Sequence, residues 1–399
     1  MDKKMKKLFA LLLVLTMTMS LLAGCGEKAT NGDATTNEGT TTNEDTSTSS
    51  DDTEGPIKLG MLTPTSGDLA MYGQAVLNAA QLAIEEINTA GGVNGRQLEL
   101  KYYDNEGDAT KSINLFNRLA DQDNIDALVG PVISGTSLVV APEADRRGIP
   151  MVTPTATNAE VTVGMEYVYR VCFTDPYQGA MGAKFASENL GAQTAIIFTN
   201  VSSDYSIGLA ESFTEAFPGE ILANESYTNE DNDFKAIISK IASLGADIIY
   251  IPDYYNIAGL IAKQLKEASV EATLVGVDGW DGIQVDYAAD AEGGFFTNHY
   301  STSDEAEVVQ TFVTTYEEKY GEVPNALAAL GYDAVKVVAA AMERAGSTDK
   351  DAVRDEIRNT DQDAVTGHIK FDENGDISKE VSIITVKDGQ LLLETKVSN

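Results

Sequence analysis

Of the residue types that do covalent or metal chemistry, this chain of 399 residues holds two histidines and two cysteines. His299 and His368 are far apart in sequence with no cysteine near either, which argues against a His/Cys zinc site and against a Ser-His-Asp triad. Cys172, in Tyr169-Arg170-Val171-Cys172-Phe173, has no histidine nearby in sequence to activate it and reads as a small buried hydrophobe. The acidic run Asp372-Glu373-Asn374-Gly375-Asp376 lacks the ligand spacing and closing Glu of a calcium loop, and reads as a turn. A hydrolase would need an activated nucleophile or a paired acid and base, and none stands out. No catalytic residue, metal site or cofactor is expected.

The elements that would position a site begin after an unusual N-terminus. Lys3, Lys4, Lys6 and Lys7 precede an apolar run over 8–23, too short for a comfortable membrane span, so 1–24 reads as a secretory leader. Leu22-Ala23-Gly24-Cys25 ends it, and small residues before a cysteine resemble the lipobox of bacterial lipoproteins, where the Cys25 thiol is acylated. The stretch 25–55 is rich in Thr, Ser, Asn, Asp and Glu, without aromatic or branched aliphatic residues after the cysteine. It reads as a disordered tether with a reach of about 30 Å. The expected location is the extracytoplasmic face of the cell membrane, held by lipid alone.

Composition agrees with a binding protein. Acidic residues number 62 and basic residues 28, a net charge of −34, which disfavours both nucleic acid and an anionic lipid surface. With 43% hydrophobic residues the chain can bury one or two cores, and its length suggests two domains. From Ile57 onward strands and helices alternate: strands over 57–62, 97–103, 125–129 and 150–153, with helices over 74–89, 109–122 and 137–147. The alternation restarts near Asp175, with strands over 194–198, 220–225, 247–252 and 273–277. Helices over 305–320, 326–345 and 350–359 follow, and the chain closes as a hairpin of 368–371 with 381–386. This pattern predicts an α/β fold of mostly parallel sheets with a ligand cleft between two lobes.

Several strings together resemble the type I periplasmic binding proteins of ABC importers, the leucine/isoleucine/valine-binding family in particular. They are Thr63-Pro64-Thr65-Ser66-Gly67 with Tyr72-Gly73, Glu86-Ile87-Asn88, and Gly91-Gly92-Val93-Asn94-Gly95. Tyr103-Asp104-Asn105, Gly130-Pro131 with Ser134, Thr153-Pro154-Thr155-Ala156-Thr157, Asp175 with Gln178-Gly179, and Gly331-Tyr332-Asp333-Ala334 complete the set. The resemblance implies two doubly wound parallel-sheet lobes joined by three hinge crossings, near 172–175, near 297–300 and near Gly367. It divides the chain into a first lobe of 57–173 plus 298–366 and a second of 174–297 plus 367–399.

It also implies a site. Ser134 matches the serine whose hydroxyl and N–H hold a ligand carboxylate, and it precedes a helix, whose positive end favours an anion; helix capping is the other role open to it. Thr155 and Thr157 match the next loop, where a carbonyl and a hydroxyl meet ammonium and carboxylate; both threonines are also compatible with simply ending a strand. Asp278, after the strand 273–277, falls where the family places the acid that pairs with the ammonium, although an Asx turn with Gly279 is open to it as well. Tyr72, Tyr205 and Tyr254 match cleft-lining tyrosines, or pack on neighbouring helices. Trp280, the only tryptophan, walls the side-chain pocket, stacks on a ligand or packs at the lobe surface.

The function implied is amino-acid capture by hinge closure, branched-chain favoured, and delivery to ABC permease subunits by a monomer. A small amide, a urea-like compound or an aromatic acid on the same scaffold, and a ligand-loaded partner of a sensor, are the alternatives.

Overall fold

The computed structural model describes residues 55–398; the expected leader 1–24, Cys25 and all but the last residue of the tether lie outside them. Two sheets organise the described chain. In the first, β1 (Ile57–Thr63), β2 (Leu98–Asp104), β3 (Ala127–Val129), β4 (Met151–Thr153) and β5 (Val168–Arg170) run parallel in the order β2-β1-β3-β4-β5. Helices α1 (Ala70–Thr89), α2 (Ala109–Arg118) and α3 (Ser134–Arg146) connect them. Strands β1, β3 and β4 are almost wholly buried, as a parallel sheet covered on both faces requires.

The second lobe repeats the plan. It contains β6 (Thr194–Asn200), β7 (Glu220–Tyr227), β8 (Ile248–Tyr250), β9 (Thr273–Gly276) and β10 (Phe295–Asn298), with α4 (Asp175–Lys184), α5 (Asp204–Ala216), α6 (Lys235–Ile241), α7 (Tyr255–Glu267) and the single turn α8 (Gln284–Tyr287). Its parallel strands lie in the order β7-β6-β8-β9-β10, the same succession as in the first sheet. Each sheet therefore reverses direction between its first and third strands. A crevice for ligand opens at the carboxyl ends of the strands where that reversal occurs.

From β10 the chain returns to the first lobe through α9 (Glu307–Tyr320), α10 (Ala326–Ala345) and α11 (Lys350–Arg358). Val76, Ala80 and Ala83 of α1 share a core with Leu330, Ala334 and Val338 of α10. The two helices come so close that a Cβ on Gly331 would fall 3.0 Å from Val76. A small antiparallel pair follows, β11 (Asp361–Ala364) with β12 (Gly367–Lys370). Buried Asp333 holds the link between them, accepting from the backbone of Val365 and Thr366 at 3.0 and 2.8 Å.

Two expectations change at this point. Ile369, Phe371 and Ile377 join the first lobe's core, and the Phe371 ring packs on Tyr169 at 5.2 Å, so 367–377 stays with the first lobe and the third crossing falls at 378–380. The closing hairpin is also different. β13 (Val381–Lys387) pairs with β10 and with β14 (Gln390–Val397), both antiparallel, rather than with 368–371. The six apolar-flanked residues Val381 to Val386 are all buried, and a strand covered on both faces needs a partner on each edge. The second sheet thus carries an antiparallel edge beside its five parallel strands.

Arg170, at the end of β5, locks the first crossing to these segments. Its fully buried guanidinium donates to Asp376 at 2.5 Å, to the carbonyls of Ala156 and Asn158 at 2.8 Å, and to Thr162 Oγ1 at 2.7 Å. Replacing Arg170 by Ala strands a carboxylate and three carbonyls, those of Ala156, Asn158 and Ala159, in a nearly dry place. The expected loss is about 3–5 kcal/mol of stability, measured by urea unfolding. Lys at this position should recover little, because it cannot reproduce the planar fork.

Candidate functional site

The carboxyl ends of β3 and β4 supply one wall of the crevice. After β3 the chain runs Gly130-Pro131-Val132-Ile133 into α3, so Ser134 opens that helix, three residues earlier than the periodicity suggests. The first amides of a helix have no partner inside it and carry the positive end of its dipole. Ser134 is 2% exposed, and its Oγ accepts weakly from the Asn158 amide at 3.4 Å. The β4 loop is stitched to this one: Thr155 Oγ1 donates to the Val132 carbonyl and Thr153 Oγ1 to that of Pro131, at 2.5 and 2.7 Å.

The facing wall comes from β6, β8 and β9. Asp278 follows β9 in a tight turn. Its Oδ1 accepts from Tyr205 at 2.5 Å and from Gln178 at 2.9 Å, and its Oδ2 lies 3.0 Å from His299 Nε2. Gln178 closes the arrangement by accepting from the Asp278 amide at 2.8 Å. Burial opposes charge on this carboxylate, but the bonds from His299, Tyr205 and Gln178 outweigh it, and its pKa lies below the ordinary value. Asp278 is therefore an anion at neutral pH, with His299 as a neutral Nε2–H donor. Tyr254 stacks on Tyr205 with ring centroids 4.8 Å apart. Its amide is fixed by buried Asp253, whose other oxygen takes Tyr227 and Asn200 at 2.7 and 2.9 Å.

The two walls meet. Tyr72 of α1 donates across the crevice to the Gly279 carbonyl, Tyr255 reaches the Asp68 carbonyl at 3.2 Å, and Asn158 reaches that of Asp204 at 3.0 Å. Between them lies a cavity of about 20 Å3, lined by Tyr72, Ser134, Thr155, Tyr205, Tyr254 and Asp278 together with Val132, Ile133, Gly279 and Leu327. Burial raises the hydroxyl pKa of Tyr72, Tyr205 and Tyr254, leaving all three as donors. A wider recess of about 310 Å3 adjoins at Ile133 and Tyr254, its rim carrying the carboxylates of Asp68, Glu106 and Asp204.

Six of the eight sequence-derived residues thus line one cavity, and two stand apart. Thr157 is fully buried, its carbonyl bonded by the Asp175 amide at 2.8 Å; its Oγ1 has no partner and approaches Asp175 short of hydrogen-bonding geometry. The Asp175 carboxyl is likewise buried without a partner, which pushes its pKa well up. Trp280 is neither a pocket wall nor a surface residue. It is completely buried in the second lobe, lying where a Cβ on Gly276 would be, near Phe296, with Nε1 bonded to the Ile251 carbonyl at 2.9 Å. An indole of that size, with its one donor satisfied, is core. The residues that sequence reasoning missed are Gln178 and His299. Gln178 stood in the Asp175–Gly179 string, and His299 sat in an expected crossing.

Burial holds the His299 pKa down to about 4, against the upward pull of Asp278. An unfolded histidine titrates near 6.5. Between those values the unfolded chain binds the extra proton, so this group's stabilisation is present above about pH 6.5 and is lost as the pH falls towards about 4. In urea unfolding over that window the wild-type protein should lose about 1 kcal/mol more per pH unit than His299→Gln. Parallel curves would show that His299 does not titrate in this way.

A model of the periplasmic binding protein family matches residues 56–390. The chain is 30% identical to the Leu/Ile/Val-binding protein homolog 3 of Brucella melitensis, over 84% of this chain and 93% of that one. Among solved structures it is similar to a leucine binding protein, LivK, of Thermotoga maritima, with 38% identity, a TM-score of 0.82, and coverage of 86% and 98% of the two chains. It is also similar to the branched-chain amino acid transporter substrate binding protein LivJ of Streptococcus pneumoniae, solved with isoleucine, with 34% identity, a TM-score of 0.81 and the same coverage.

Proposed function

The chain belongs to the periplasmic binding protein family, and we propose that within it this protein captures a branched-chain amino acid between its lobes for an ABC importer. The observation that carries the reading is a charged carboxylate, Asp278, lining the same small cavity as the opening turn of α3 at Ser134. A cation acceptor and an anion acceptor in one cavity suit a zwitterion. The α-ammonium pairs with Asp278 and the α-carboxylate takes the amides and hydroxyl at Ser134, with Thr155 beside it. Val132, Ile133, Leu327 and the tyrosine rings leave apolar surface for an aliphatic side chain. The amino-acid ligands of similar proteins support the same class.

A cavity of about 20 Å3 holds about one water, so admitting an amino acid means parting the lobes. The bridges from Tyr72, Tyr255 and Asn158 are the contacts that open and re-form. Ligand that binds both walls favours the closed arrangement, and a permease able to distinguish closed from open reads occupancy. No step requires a catalytic residue. Cys25 is the proposed lipid anchor on the outer face of the cytoplasmic membrane; among the described residues no helix is long and apolar enough to cross a membrane.

Refolded protein free of bound ligand should rise in melting temperature with leucine, isoleucine or valine, by the equivalent of about 2.7 kcal/mol at a hundredfold excess over Kd. Asp278→Ala should cost about 2–5 kcal/mol of that affinity by calorimetry. Near wild-type binding in this variant, or a response to aromatic acids and amides alone, would overturn the zwitterion assignment. In cells, Cys25→Ala should move the protein from the membrane fraction to the soluble one.

A further inference from the structure

Asp278 Oδ1 is held by two residues of its own lobe, whereas Oδ2 is held by a residue of an interlobe crossing, His299. That ring has little freedom. It stacks on Phe173 of the first crossing, with centroids 3.7 Å apart and planes at 22°. Its amide donates to Asn298 Oδ1 at 2.8 Å, and Asn298 Nδ2 donates to Asp281 at 3.1 Å. The same Asp281 oxygen accepts from the Ala326 amide at 2.7 Å, at the start of α10 in the first lobe. Lys379 of the third crossing donates to the Val171 carbonyl of the first at 3.3 Å. Hydrogen bonds thus link α10 through Asp281 and Asn298 to the backbone of His299, whose side chain carries the path on to the Asp278 carboxylate, with the first crossing stacked on its ring.

We infer that His299 is a positioning residue, tying the rotation of the Asp278 carboxylate to the alignment of the interlobe crossings. The inference rests on the amino-acid reading above, in which Asp278 meets the ligand ammonium. His299 Nδ1 is buried without a partner, so the ring's polar role within the described structure is the Nε2 bond to Asp278. A histidine conserving only packing would leave that nitrogen's carboxylate partner dispensable. Here the partner is the charged group of the cavity. Without the Nε2 donor, one oxygen of a nearly buried carboxylate loses its bond, and only the two bonds at Oδ1 still oppose its turning away from the ammonium.

The test is calorimetric titration with leucine of the wild-type protein, His299→Leu, His299→Gln, Asp278→Asn and the double variant Asp278→Asn/His299→Leu. His299→Leu keeps apolar contact with Phe173 and removes the donor; it should weaken binding about 10- to 100-fold. His299→Gln restores a donor and should recover to within about threefold of wild type. In the Asp278→Asn background, His299→Leu should add less than about twofold, because its effect passes through the carboxylate. Additive losses in the double variant, or equal losses for Leu and Gln, would show a packing role and overturn the inference; so would unchanged affinity in His299→Leu. If the wild-type protein binds no amino acid, the ligand assignment itself falls, an outcome separate from all of these. Circular dichroism and urea midpoints identify any variant that is unfolded, and the comparison of Leu with Gln still decides the case if Asp278→Asn binds too weakly to titrate.

Discussion

Placing the Asp278 carboxylate in a nearly dry crevice costs several kcal/mol unless its oxygens are bonded. The surrounding structure is arranged to meet that demand. Gln178 comes from α4, Tyr205 from α5 and His299 from the end of β10, three elements brought together beside the turn that follows β9. The bonds keep the group ionised, and the carboxylate in turn fixes the tyrosines: Tyr205 bonds it directly, Tyr254 stacks on Tyr205, and Tyr72 meets Tyr254 edge-on at 5.9 Å.

The opposite wall depends on backbone rather than on charge. Two parallel sheets with the same strand order place two reversal points face to face, and α3 begins at one of them. Because its first amides are unused within the helix, the proposed carboxylate would meet free donors there without any basic side chain. Arg170, the buried cation nearby in sequence to the site loops, instead holds the carbonyls of Ala156 and Asn158 and so keeps the β4 loop in place. One wall supplies a fixed negative charge and the other a fixed dipole, and three crossings keep the two in register.

Much of the alternation was legible because buried parallel strands are short apolar runs between amphipathic helices. β5, β10 and β14 were not. β5 (Val168-Tyr169-Arg170) and β10 (Phe295-Phe296-Thr297-Asn298) each hold only two apolar residues before turning polar, and β14 alternates in exposure at a sheet edge, with Glu394 and Lys396 on it. The pairing of 381–386 was misjudged because proximity in sequence favours a hairpin with 368–371, whereas Ile369 and Phe371 had a larger apolar surface to join in the first lobe. Trp280 lies two residues from Asp278, and a one-dimensional pattern cannot say that the chain turns between them and sends the indole into the core.

The amino-acid sequence by itself determined the α/β class, the two-lobe succession of elements, and the residue types at the ends of β3, β4 and β9, because periodicity and turn chemistry are local properties. Only the tertiary structure decided which of those residues share a cavity, where the third crossing lies, and that His299 belongs to the site. Asp278 and His299 are separated by a core tryptophan, a short helix and a strand. Their bond exists because burial leaves a charged oxygen in need of a donor, and the folded crossing is what supplies it.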